Sequence, residues 1–408
     1  MKSRKSTKTS LSVLDQMCKL IPAYLVSKLA HQFGVDKKAR SFTPWSHVVT
    51  LLFAHLSHAS SLNDVCDAIK THQTLFTRIR GAVLPSKNAL SHANRNRDPA
   101  MAEALFWALL DEFKNESPRF GGRTFQGMPR RFKRAVYAID SSTIQLAVNC
   151  IDWAKHRRRK AAAKLHLRLD LRSYLPAFAI VDTAAHNDNR RAREICAGLH
   201  DGEIALFDKA YIDFKHLLDL TQRGVFWVTR AKDNMVYRVK KRNIKRPQGN
   251  ILRDDLIVLT VAKSREHYPE TFRLVHAIVE VDGKDREMTF ITNNTDWAAS
   301  SIADLYKSRW AIETFFKEIK QTLQLSNFLG HNKNAVQWQI WTALIAYILL
   351  RYQSLQHGWE HGFKRFFCLI RSNVWSKKEV ASLIELCGTA RGSPEVPEIQ
   401  LPGFLPGY

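Results

Sequence analysis

The sequence predicts an α/β domain, a mixed sheet flanked by helices, with a β-rich insertion and a helical region ahead of it. Three observations carry this reading. Residues up to about 120 read as short helices joined by polar turns. From about 134, short apolar runs with strand character alternate with helical stretches. Between 232 and 294 three strand-like runs follow one another with no helix between them.

In the first region, "TPWSHVVTLLFAHL" places Thr43 as an N-cap and Pro44 at the first helical position. "SSLNDVCDAI" and "SKNALSHANRNRD" start further helices, and Asp98–Pro99 opens "AMAEALFWALLDEF". Short helices in a basic chain fit a helix-turn-helix-like DNA-binding module, and a plain helical bundle fits as well. Next come the strands "RAVYAID" (134–140), "KLHLRLDL" (164–171, alternating, one wet face) and "LPAFAIVDT" (175–183). A helix within 189–199, a strand at 203–208, a helix at 214–223 and a strand at 225–231 complete the α/β pattern. "DLIVLTVAK", "TFRLVHAIVEV" and "REMTFITN" form the β-rich insertion. A helix through 306–321 and a packed helix at 335–353 return to the α/β domain, and a helix and a loose Pro/Gly-rich tail fill 371–408.

Charge narrows the partner. The chain of 408 residues carries 62 Lys and Arg against 38 Asp and Glu, a net +24. So basic a protein expects a polyanion, nucleic acid first and an anionic membrane surface second. The basic start "MKSRKSTKTSLSVL" has no apolar run behind it, so no secretory signal is expected. "IWTALIAYILL" is too short to span a bilayer. Six scattered cysteines (18, 66, 150, 196, 368, 387) lack any C-x-x-C pair, which argues for free thiols in a reducing cytoplasm. No phosphate-binding glycine loop and no G-x-S-x-G is present.

Within "YKSRWAIETFFKEIKQ" (306–321), Tyr306, Arg309, Glu313 and Lys320 share one stripe on an ideal helix, since offsets of 3, 7 and 14 fall at roughly 300°, 340° and 320°. Ile312, Phe315, Phe316 and Ile319 lie beside it, and Lys307, Thr314 and Glu318 on a wet face. An ion-pair ladder, Arg309–Glu313 and Glu313–Lys317, explains the stripe from the helix alone. A carboxylate beside an apolar face, however, requires a partner or a metal.

Asp140 and Asp208 each end an apolar strand-like run, where open α/β sheets present ligands. Together with Glu313 they suit a hard divalent cation and phosphoryl transfer. Asp152, Asp170, Asp182, Asp188 and Asp213 are competing carboxylates, and an aspartate at a strand end also serves as a turn former. His166 and His186 are near enough in sequence to touch such a site, though each reads equally as structural. "KHRRRKAAAK" (155–164) and "VKKRNIKR" (239–246) are candidate phosphate contacts. Trp227, Trp297 and Trp310 are candidate base-stacking residues or core.

The spacing Tyr306-x2-Arg309-x3-Glu313-x6-Lys320 resembles the YREK signature of family-four (IS-four) DDE transposases of bacterial insertion sequences. "AIDSSTIQL", "KLHLRLDLRSYLP", "FDKAYIDF", "FWVTRAKDN" and "LYKSRWAIETFFKEIKQ" resemble that family in its chain order, and "FTPWSHVVTLLFAHLSHASSLNDV" its short helical domain. The resemblance implies an RNase H-like catalytic domain at 130–370, interrupted at 232–294, behind an N-terminal DNA-binding region at 1–120. It implies Asp140, Asp208 and Glu313 as the catalytic triad and ligands of two Mg²⁺ ions, with Mn²⁺ as a substitute. Tyr306, Arg309 and Lys320, with Arg230 and Lys232, are implied as DNA contacts. The implied function is cut-and-paste transposition through hairpin ends by a homodimer on double-stranded DNA, in the bacterial cytoplasm. An inactive, transposase-derived DNA-binding protein and a metal-dependent nuclease are the alternatives.

Overall fold

The computed structural model describes residues 7–37, 39–122, 132–146, 155–157, 160–183, 188–281, 283–323 and 329–387. The N-terminal region is helical: α1 Val13–Lys19, α2 Ala23–Gln32, α3 Pro44–Ser57, α4 Leu62–Thr71, α5 Gln73–Thr77, α6 Lys87–Asn96, α7 Ala100–Glu116 and the single turn α8 Pro118–Gly121. Several of its helix starts follow from capping chemistry. The Thr43 side chain accepts the Ser46 N–H with Pro44 at the first helical position. Ser61 and Ser86 cap α4 and α6 in the same way. Asp98 accepts the Ala100 N–H at the start of α7.

The strands are β1 Val136–Leu146, β2 Lys155–Arg157, β3 Lys160–Asp170, β4 Leu175–Thr183, β5 Ile204–Phe207, β6 Phe226–Arg230, β7 Tyr237–Arg242, β8 Ile251–Leu259, β9 Phe272–Val281 and β10 Lys284–Thr292. They form one sheet in the order β2-β3-β1-β5-β6-β10-β9-β8-β7, with β4 paired to β3. β1, β3 and β4 are antiparallel. β5 and β6 then run parallel to β1. Helices α9 Asp188–Cys196 and α10 Phe214–Gln222 lie on the connections into β5 and β6. Three antiparallel strands followed by two parallel ones, with helices on the connections, fit an RNase H-like fold.

Four expectations need correction. β1 does not stop at Asp140 but continues to Leu146, paired with β3 throughout. β3 has no wet face: Leu165, His166, Leu167, Arg168 and Leu169 are all buried. Arg168 is accommodated by the Tyr137 and Phe178 rings and by donation to the Ile195 carbonyl. The β-rich stretch contains a short helix, α11 Ala262–His267, and β10 hydrogen-bonds to β6, so β7–β10 extend the main sheet. Finally, the helix through 306–321 is broken into α12 Ala299–Ser308, α13 Ala311–Lys317 and a π-helical turn, Glu318–Thr322.

α14 Lys333–Gln356 is buried on every side through its central turns, where the apolar run 340–350 lies. Trp338 packs on His47 of α3, Trp341 on Phe106 and Tyr352 on Phe113 of α7. Tyr347 meets Phe315 of α13. The N-terminal helices and the helix bearing Glu313 are thus packed on the same element, within one continuous core. α15 Phe363–Ser372 and α16 Val380–Cys387 follow. A backbone bond from Thr9 to the Lys377 carbonyl ties the start of the described chain to this end. The tail beyond 387 lies outside the described residues. Among the described residues no helix is long and apolar enough to cross a membrane.

Candidate active site

Two register partners define the site. Ile139 of β1 sits beside Phe207 of β5 in the parallel pairing. The next residues, Asp140 and Asp208, therefore stand side by side where the parallel pairing ends. Asp208 follows the last residue of β5, as expected; Asp140 instead stands in mid-strand, where β1 parts from β5 and stays with β3.

Glu313 reaches the same place from α13. Arg309 Nη1 donates to Asp140 Oδ2 at 2.9 Å, and Nη2 donates to Glu313 Oε1 at 2.8 Å. The Tyr306 hydroxyl donates to Asp208 Oδ1 at 3.4 Å. The Ser141 N–H donates to Asp140 Oδ1 at 2.7 Å. The trio is thus gathered by one guanidinium and one phenol. Arg309 is 5% exposed and Tyr306 1%. The Glu313 side chain is 43% exposed and that of Asp140 20%. The ladder reading holds for Arg309–Glu313; Glu313 makes no ion pair with Lys317 among the described residues.

The helix break lies at the residue that gathers the acids. Arg309 and Trp310 donate their N–H groups three residues back, to Tyr306 and Lys307, and Ile312 does the same to Arg309. Downstream, Lys320 lies in the π turn and donates Nζ to the Thr143 carbonyl of β1. π turns inside helices often mark functional positions.

Burial shapes the charges. It pushes the Asp140 carboxyl up to about 6, against the Arg309 guanidinium and the Ser141 N–H, with Asp208 and Glu313 adding to the rise. Burial pushes the Tyr306 phenol up to about 12. For Arg309 burial opposes the charge, yet Tyr306 and the three carboxylates outweigh it and hold the guanidinium above its ordinary value. Lys320 is lowered by burial.

Arg230 ends β6, half-buried, close enough for its charge to act on Tyr306. Lys232 donates Nζ to the Ile212 carbonyl at 3.1 Å, and Lys209 pairs with Asp233 at 3.2 Å. These two links strap the loop after Asp208 to the loop after β6.

Structural roles account for three competing carboxylates. Asp170 accepts from the Arg172 N–H and the Ser173 hydroxyl in the β3–β4 turn. Asp182 pairs with Arg191 at 2.6 Å, and Asp213 caps α10. Asp152, His186 and the Asp188 side chain lie outside the described residues. His166 is fully buried in β3, opposite Ser141. Trp227 is core, its indole N–H donating to Thr221. Trp297 packs on Phe132 and Phe226, and Trp310 is half-buried against the core. Of the basic runs, 239–246 presents Lys240, Lys241, Arg242, Lys245 and Arg246 exposed on and beyond β7 at the sheet edge. The run at 155–164 is described only in part, as β2 and the start of β3.

Glu318, expected on a wet face, is half-buried. Its Oε2 is buried without a hydrogen-bond partner among the described residues. Burial pushes its carboxyl up to about 7, and Arg351 of α14 acts against that rise. The contacts of two histidines carry no signal in the sequence. His55 of α3 bonds to the carbonyls of Leu323 and Gln339, and His58 Nε2 donates to the Thr322 carbonyl at 2.6 Å. The N-terminal helices thereby cap the end of the π turn.

A model of the transposase DDE domain matches residues 131–349, and a domain of unknown function matches 9–78. A transposase (y4zB) of Sinorhizobium fredii is 30% identical over 73% of this chain and 80% of its own. The transposase for insertion sequence element IS5377 of Geobacillus stearothermophilus is 27% identical over 54% of this chain and 57% of its own. The transposase InsG for insertion sequence element IS4 of Escherichia coli is 27% identical over 47% of this chain and 44% of its own.

Proposed function

This chain belongs to the IS4-family DDE transposases of bacterial insertion sequences, and on that premise we propose that Asp140, Asp208 and Glu313 are its catalytic, metal-binding carboxylates. The observation that carries the proposal is their convergence: Asp140 and Asp208 at adjacent register positions, and Glu313 brought to Asp140 through the two arms of Arg309. Their donor set fits the cofactor. It consists of hard carboxylate oxygens, partly open to solvent, which suits Mg²⁺, with Mn²⁺ as a substitute. Among the described residues no three acidic, His or Cys groups stand close enough to hold an ion together in this arrangement; two of the trio face Arg309 instead.

Asp140, Asp208 and Glu313 would hold two divalent ions. Bound there, the ions supply activation of the attacking oxygen and stabilisation of the leaving oxygen in phosphoryl transfer. Asp140 is fixed by the Ser141 N–H, and Asp208 by the two-link strap of its loop and by Tyr306. These contacts fix the backbone that carries the two aspartates, while Asp140 and Glu313 must part from Arg309 before they share an ion. Arg230 and Lys232 supply sequence-independent phosphate contacts beside the site, and the exposed bases of 239–246 do so at the far edge of the sheet. Tyr306 and Arg309 meet DNA phosphates once the carboxylates no longer occupy them, and Lys320 once its Nζ leaves the Thr143 carbonyl.

The reaction we assign is cut-and-paste transposition on double-stranded DNA. Water cuts one strand at the element end, the freed 3′-hydroxyl attacks the opposite strand to form a hairpin, a second water hydrolyses the hairpin, and the regenerated 3′-hydroxyl joins target DNA. Two ends processed together call for a homodimer, with the N-terminal helices taking part in end binding, in the bacterial cytoplasm. The test is incubation of the protein with its element's end DNA, a target plasmid and Mg²⁺, followed on denaturing and native gels. Hairpin ends and joined product are expected. Cutting without joining would make it a nuclease, and binding alone an inactive descendant.

A further inference from the structure

We infer that Arg309 is a resident counter-charge of the carboxylate trio, which DNA phosphate must draw away before metal can load. The inference rests on the reading of Asp140, Asp208 and Glu313 as metal ligands. Its basis is which atoms are engaged. Arg309 Nη1 sits on Asp140 Oδ2 and Nη2 on Glu313 Oε1, while Asp140 Oδ1 takes the Ser141 N–H. Both Asp140 oxygens are therefore in use. A cation seeking Asp140 and Glu313 together meets a guanidinium already bridging them.

Arg309 is 5% exposed, so it is a fixed charge and not a solvated one. A buried cation among carboxylates leaves only if another anion receives it. DNA phosphate is that anion, since a guanidinium pairs with phosphate in the same forked geometry it uses for carboxylate. Arg309 Nε has no hydrogen-bond partner among the described residues, so the fork is only partly used as it stands. The net charge of +24 brings DNA to the protein without prior metal. The order follows: DNA first, guanidinium exchange second, metal third. Such an order prevents a metal-loaded site from acting before an end is bound.

The test reads metal affinity, not turnover. Free Mn²⁺ is measured by electron paramagnetic resonance in titrations of the full chain, with and without a short duplex carrying the element end. Without DNA, Arg309→Met should bind Mn²⁺ at least about tenfold more tightly than wild type, as expected when a charge-assisted competitor is removed. Added duplex should tighten binding by wild type and leave Arg309→Met nearly unchanged. Arg309→Lys retains the charge without the fork, and it should fall between the two. It also guards against a misfolded Met variant, which a thermal melt will identify. Equal or weaker Mn²⁺ binding by both variants without DNA overturns the inference. Asp140→Asn placed on Arg309→Met separates the two readings. Loss of the tight Mn²⁺ site upholds the carboxylates as ligands, whereas its survival rejects them.

Discussion

Asp140→Asn, Asp208→Asn and Glu313→Gln each lower strand cleavage at element ends at least about a thousandfold, with DNA affinity held within about threefold. Each substitution nearly preserves shape, removes the negative charge and turns one acceptor oxygen into a donor amide. None of the three sits in the fold's apolar core; Glu313 is exposed on α13, and Asp140 and Asp208 stand at the edge of the parallel strands. Loss of one ligand from a paired-metal site removes charge stabilisation where the attacking and leaving oxygens develop it. Affinity is carried elsewhere, by phosphate contacts from the many Lys and Arg side chains. Gel assays of cleavage and mobility-shift titrations on the same preparations check both halves. Near-normal cleavage by any one variant removes that residue from the triad.

Glu318→Gln raises the melting temperature at pH 8 and leaves it unchanged near pH 4.5. Burial pushes the Glu318 carboxyl up from 4.5 to about 7. A group whose folded value is raised contributes no penalty below its unfolded value, where both states are protonated. As pH rises from 4.5 through 7, the unfolded chain releases the proton first and the folded chain loses relative stability. Above pH 7 the ionised, partly unpartnered carboxylate costs on the order of 2–3 kcal/mol. Glutamine mimics the protonated form, so the variant escapes that cost, a gain of a few degrees for a large domain. Melts of both proteins across this window measure it. A variant less stable than wild type at pH 8 would mean that Arg351 more than compensates the buried charge.

Local signals in the sequence carried far. Thr43 and Pro44 start α3 where capping chemistry places them, and "LPAFAIVDT" is β4 residue for residue. Asp208 closes β5 because an apolar run ends there with a turn behind it. Non-local pairing was not legible. β1 runs on through Ser141, Ser142 and Thr143, polar residues that look like a turn until β3 supplies hydrogen bonds to them. β10 joins β6 across more than fifty residues, which no window on the chain detects. α11, of six residues, is too short for periodicity to show. Arg168 reads as a wet-face residue because nothing in its own strand announces the Tyr137 and Phe178 rings.

At the site, the residue types and their convergence were legible, but the direction of Arg309 was not. Its spacing to Glu313 is readable on a helix; its partner Asp140 lies 169 residues away. The spacing also suggested an unbroken helix, since Arg309 and Trp310 both remain in right-handed helical geometry through the tightened turn. The consequence is large. A residue placed on DNA by resemblance is, in the free protein, a buried cation among acids.

The central claim is that Asp140, Asp208 and Glu313 hold the same metal ions. Iron-directed cleavage tests it directly: Fe²⁺ is exchanged into the DNA-bound protein, hydroxyl radicals are generated with ascorbate and peroxide, and the cut peptides are mapped by mass spectrometry. The account predicts cuts near all three residues, suppressed together by excess Mg²⁺ and by Glu313→Gln. Cuts confined to one segment, or clustered around carboxylates outside this trio, would contradict it.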